Sequence, residues 1–76
     1  MNNMFKAILV RFPGYSERIL QKIAEDDDFE CLCTDYELCV SMLSSLEKAP
    51  VPANTKIKEY LEIKKELEEE ALRYLH

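Results

Sequence analysis

Three clustered cysteines, a triple aspartate and a triple glutamate are the residues of this chain whose types and spacing could do chemistry. Cys31, Cys33 and Cys39 lie within nine residues of one another. Paired thiolates hold zinc or an iron–sulfur cluster, and an activated thiolate exchanges with disulfides. Neither use suits this spacing. On a helix, residues two apart point about 200° from each other, so Cys31 and Cys33 cannot grip one ion together. The only histidine is His76. Activation of a thiol needs nearby positive charge. Cys31 instead sits among Asp26, Asp27, Asp28 and Glu30. The aspartates lack the D-x-D-x-D-G spacing of a calcium loop. Three acids just before an apolar periodic run are what a helix N-terminus prefers, because they meet its free N–H groups and the positive end of its dipole. Glu68-Glu69-Glu70 reads as a solvated helix face. With no glycine-rich phosphate loop, no G-x-S-x-G and no internal histidine, the chain is expected not to be an enzyme and to carry neither cofactor nor metal.

The cysteine count is odd, which excludes a closed intramolecular disulfide framework. Free thiols imply a reducing compartment, so the expected location is the cytoplasm. Charge is unevenly spread. Residues 1–24 carry +3, residues 25–48 carry −7 and residues 49–76 carry −1, for a total of −5. An acidic protein is a poor general ligand of nucleic acid. The basic N-terminal third, with Arg11, Arg18 and Lys22, is the one place where such contact could occur.

The elements that would position these residues are all helical. Phe5, Ile8, Leu9 and Phe12 fall on one helix face, so residues 3–11 are expected to be helical. Pro13-Gly14 ends that run. The stretch is too broken by Arg11 and Pro13 for a signal peptide, and its apolar side is expected in the core rather than on a membrane surface. Ser16 is expected to cap a short helix reaching Glu25, with Ile19, Leu20 and Ile23 buried. The next helix is expected over 27–48. Phe29, Leu32, Tyr36, Cys39, Leu43 and Leu46 alternate steps of three and four, an a/d seam that calls for a partner helix. On that helix Cys39 is expected buried, with Cys31 and Cys33 partly exposed. Ala49-Pro50-Val51-Pro52-Ala53-Asn54 stops the helix and forms a stiff linker. Asn54 or Thr55 caps a last helix over 55–75, in which Lys64 and Glu68 pair at i, i+4 inside the apolar arc.

The chain has 76 residues, 47% of them apolar and 33% charged, with one glycine and three prolines. These figures fit one small domain and exclude an all-β sandwich, which needs many tight turns. No apolar run is long enough to span a bilayer. The expected fold is all-α: a long antiparallel helical hairpin of 27–48 and 55–75 with one or two short N-terminal helices, as a packed monomer or a dimeric bundle.

Phe12-Pro13-x-Tyr15, Asp26-x-x-Phe29-x-x-Leu32-x-x-x-Tyr36, Ile63-Lys64-Lys65 and Leu67-x-x-Glu70-Ala71 together resemble the YdcH-like family of short bacterial proteins. The resemblance covers residues 12–75. It departs from the family pattern at Tyr36, where the family has His, at Cys39-Val40, where it has Leu-Asp, and at Asp27, where Pro is common. It also needs a small length change before Leu67. The resemblance implies a cytoplasmic, self-associating helical hairpin with no catalytic residue assigned.

The apolar face of the last helix is wider than one partner helix covers. The function expected is therefore protein–protein interaction, through self-association or docking on a partner protein. Tyr60, Lys64, Leu67, Tyr74 and Leu75 are the expected contact residues. The alternatives are nucleic-acid contact through the basic third and thiol sensing through Cys31 or Cys33.

Overall fold

The computed structural model describes residues 5–50 and 54–75. Within them the chain forms α1 (Lys6–Arg11), a 3-10 turn (Pro13–Tyr15), α2 (Ser16–Glu25), α3 (Asp27–Lys48) and α4 (Asn54–Leu75), with no strand among the described residues. The all-α expectation holds. The expected start of the first helix at residue 3 lies outside the described residues, as does Val51-Pro52-Ala53 of the linker.

α3 is the spine. It packs against α1, α2 and α4 in turn, most extensively against α4. Three contacts set the register of α3 on α4. Phe29 lies against Tyr74, with ring centroids 5.2 Å apart and planes tilted by 53°. The Tyr36 hydroxyl donates to Glu68, and the Cys39 thiol donates to the Tyr60 carbonyl at 3.2 Å. The α3 partners rise in number while the α4 partners fall. The radius of gyration is 13.2 Å, against about 11 Å for an average domain of this length, so the molecule is elongated along these helices.

Five of the six seam residues are buried: Phe29, Leu32, Tyr36, Cys39 and Leu43. Leu46 is half-buried. α1, the residue that follows it and α2 close the core over one part of α3 by inserting Ile8, Phe12 and Ile19. Two expectations fail here. Cys33 is fully buried, because α1 packs on the side of α3 that a single seam would leave wet. Leu20 is exposed, because only the Ile19 side of α2 meets α3 and the partner surface stops there.

The caps also divide. Ser16 does not cap α2 from the N-cap position. That position is Tyr15, without a side-chain cap, and the Ser16 hydroxyl donates to the Pro13 carbonyl instead. Asp26 is the N-cap of α3. Its carboxylate accepts from the Asp28 N–H at 3.0 Å and the Phe29 N–H at 3.3 Å. Removing an N-cap of this kind costs about 1 kcal/mol. Asp26→Ala is therefore expected to lower the melting temperature by about 4–8 °C, while Asp26→Asn leaves it nearly unchanged. Thermal melts followed by circular dichroism check both.

Candidate functional site

α1 has only six residues, too few to hold a helix in water unaided. Two carboxylates from other helices fasten it. Glu37 of α3 accepts from the Ala7 N–H through both oxygens, at 2.9 and 3.0 Å. Its carboxylate thus does what the N-cap residue Phe5, with no side-chain bond, does not. At the other end of α1, Arg11 Nε lies 3.1 Å from Glu68 Oε2 of α4.

Glu68 is the junction of three helices. Besides Arg11, its Oε2 accepts from the Tyr36 hydroxyl at 2.6 Å and lies 3.8 Å from Lys64 Nζ. The expected Lys64–Glu68 pair is present, but it is the longest of three contacts on that oxygen. The Glu68 side chain is only 15% exposed, and two cations and a phenol compensate the charge there. Tyr36 is 1% exposed. Burial, and then its bond to Glu68, push its hydroxyl well above the usual tyrosine range.

Beside this junction a groove of about 510 Å³ lies between α1, α3 and α4. Ala7 and Val40 form its apolar floor, the exposed Val10 also lines it, and Lys6, Arg11, Glu37 and Lys64 stand around it. A second hollow of about 340 Å³ shares Val40 and Lys64 and continues along α3 and α4 past Leu43, Ser44 and Leu61 to Glu47 and Lys48. Val10 is 67% exposed and Leu61 51%, so large apolar side chains face solvent at both ends of the trough. Apolar surface of this kind binds other apolar surface, and the charges around it select which.

The structure separates the expected contact residues. Lys64 lines the groove. Leu75 is 2% exposed and belongs to the chain's own core. Tyr74 packs on Phe29 and under Lys22, whose Nζ lies 5.9 Å from the ring centroid. Leu67 packs half-buried against the core. Tyr60 is half-buried beside Cys39. Val10, Val40 and Leu61, which the sequence alone did not assign to a site, take the prominent places. Val10 stands off the Phe5-Ile8-Leu9-Phe12 face, and that offset was the available signal.

The basic third does not form one patch. Arg11 faces the groove and Glu68, whereas Arg18 and Lys22 line a shallow hollow on α2 together with Glu25 and Tyr74. Lys22 also lies 3.9 Å from Asp26.

All three cysteines are free. Burial, then the nearby Glu37 charge, push the Cys33 thiol up to about 12. Burial also raises Cys39. Cys31 is exposed. In the native protein iodoacetamide is therefore expected to label one thiol, Cys31, and to label all three after denaturation. Rapid native labelling of Cys33 would contradict this. The same shift links stability to pH. The unfolded thiol ionises near 9.0 and the folded one near 12. The unfolded chain thus loses its proton first, and stability falls as pH rises across that interval. Cys33→Ala makes that limb of the pH–stability curve less steep, while the raised Tyr36 and Cys39 groups keep their share of it.

No helix of the described residues is long and apolar enough to cross a membrane. No group of three or more His, Cys, Asp or Glu among the described residues could hold a metal ion. No protein-family model, curated protein or solved structure matches this chain.

Proposed function

We propose that this protein is a small non-catalytic interaction module, a helical hairpin of α3 and α4 braced by α1 and α2, that works by self-association or by docking on a partner protein. One observation carries the reading: the trough between α1, α3 and α4 exposes Val10 and Leu61 beside Lys6, Arg11 and Lys64. An apolar floor beside fixed charges is the anatomy of an interface, with a hydrophobic centre and a polar rim. The YdcH-like sequence pattern belongs to the same reading, as does a cytoplasmic location where the three thiols stay reduced. Arg18 and Lys22 stand near Glu25 and Asp26, which disfavours nucleic-acid contact, and of the two thiols considered for sensing Cys33 is buried while the exposed Cys31 neighbours Asp27, Asp28 and Glu30 in sequence rather than cations.

The test compares the native size of the protein in its own cell lysate with that of the purified chain under reductant. The reading expects a lysate species larger than one chain, and expects Val10→Glu with Leu61→Glu to return it to the size of a single chain. A wild-type protein that runs as one 8.9 kDa chain in both settings would count against it.

A further inference from the structure

The trough has a charge of its own. Lys6, Arg11, Lys48 and Lys64 line it against Glu37 and Glu47, and with Glu68, which pairs with Arg11 and Lys64, the trough carries +1 on a protein whose total is −5. The opposite character appears on the outer side of α3. Cys31, Asp35, Leu38, Met42 and Ser45 repeat at steps of four, three, four and three, and all five are exposed. Leu38 is 60% exposed and Met42 44%. Asp27 and Asp28 extend this stripe, and α3 contains no Lys or Arg before Lys48. Asp27, Asp28 and Asp35 enter no ion pair among the described residues. The stripe is therefore an acidic amphipathic helix surface with its apolar residues already in the open.

We propose that the groove of one chain receives the outer α3 stripe of a second copy, with Leu38 and Met42 on the apolar floor and Asp35 toward the cationic rim. The proposal rests on the interaction-module reading and names the partner. Charge complementarity selects the stripe as occupant. The lengths agree. The groove follows α3 from Tyr36 to Lys48, about 18 Å at 1.5 Å per residue, and Asp35 to Ser45 spans about 15 Å. Val40 lines the groove, and Leu38 and Met42 each point about 200° away from it around the helix. A chain consequently cannot lay its own stripe in its own groove. The contact is head-to-tail, so copies add one after another, into a ring where the rotation closes and into an open chain where it does not.

That asymmetry gives a decisive experiment on the whole chain. A groove variant, Val10→Asp with Leu61→Asp, keeps its stripe, and a stripe variant, Leu38→Asp, keeps its groove. All the altered positions are exposed. Circular dichroism confirms folding, and Met42→Asp replaces any stripe variant that fails to fold. Mass is read by sedimentation across a wide concentration range at low and high NaCl. The expected result is that the wild type grows beyond a dimer at low salt and dissociates as salt rises. Each variant alone associates more than about tenfold more weakly, and the two variants mixed form a 1:1 pair and nothing larger. A wild type that stops at a closed dimer, association that strengthens with salt, or a mixture that stays monomeric overturns the groove–stripe contact while leaving the module reading intact. A wild type that stays monomeric at every concentration overturns the groove–stripe contact too. If it also has no larger species in lysate, the module reading falls with it.

Discussion

Phe29→Ala is expected to abolish cooperative folding at physiological temperature. Phe29 is fully buried, and it sits where three helices meet. Its backbone N–H closes the Asp26 cap at the start of α3. Its ring lies 5.2 Å from that of Tyr74 near the end of α4. Deleting a buried phenylalanine ring costs about 3–5 kcal/mol, through lost transfer energy and the cavity left behind. A single core in a chain this short supplies rarely more than about 3–5 kcal/mol in all. The loss therefore equals the whole stability. The urea transition followed by far-ultraviolet circular dichroism should be absent or shifted to very low denaturant. Phe29→Leu, which fills most of the space, should retain a transition. A loss below about 1 kcal/mol for the alanine variant would mean that the α2–α3–α4 junction does not hold the fold together.

Glu68→Ala should be the most damaging change of a charged residue. It strands the Tyr36 hydroxyl, which donates to Glu68 at 2.6 Å from a residue with almost no exposure. It also frees Arg11, and with it the end of α1. A hydrogen bond to a charged group contributes about 1.5–3 kcal/mol, and a buried donor left without an acceptor costs about as much. The expected loss is about 2–3 kcal/mol. Glu68→Gln keeps an acceptor oxygen and should lose about 1 kcal/mol. The sharper result concerns the pair. Once Glu68 is Ala, Tyr36→Phe removes the stranded hydroxyl and should restore stability. The double variant is then more stable than Glu68→Ala alone. Denaturant melts of the four proteins in this cycle measure the coupling. Strict additivity would show that the hydroxyl and the carboxylate do not depend on one another.

Local periodicity made the helices legible in the sequence. The three-four spacing of Phe29, Leu32, Tyr36, Cys39 and Leu43 located α3 and its buried side. Pro13, Pro50 and Pro52 marked where helices could not continue, and Asp26 to Asp28 marked where α3 begins. The i, i+4 partnership of Lys64 and Glu68 is local in the same sense. The features that escaped depend on residues far apart in the chain. Ala7 and Glu37 are thirty positions apart, and nothing near either one announces the other. Tyr36 and Glu68 are thirty-two apart, so the glutamate looked like a partner of Lys64 alone. Cys33 lies beside the seam rather than in it, and only the docking of α1 makes that flank interior. Leu75 shared the wide apolar face of α4 with Leu61, and periodicity cannot say which of the two another helix will cover. The groove belongs to this class too, because it exists only where α1, α3 and α4 come together.

The most direct test of the central claim, that this chain acts through its surface and through copies or partners laid on it, is its mass-averaged size by light scattering as a function of concentration. It is run under reductant, beside the size of the same chain in its lysate. The mass is expected to rise above 8.9 kDa with concentration, and the lysate species to be larger than one chain. A flat 8.9 kDa at every concentration, with a lysate species of the same size, would contradict it.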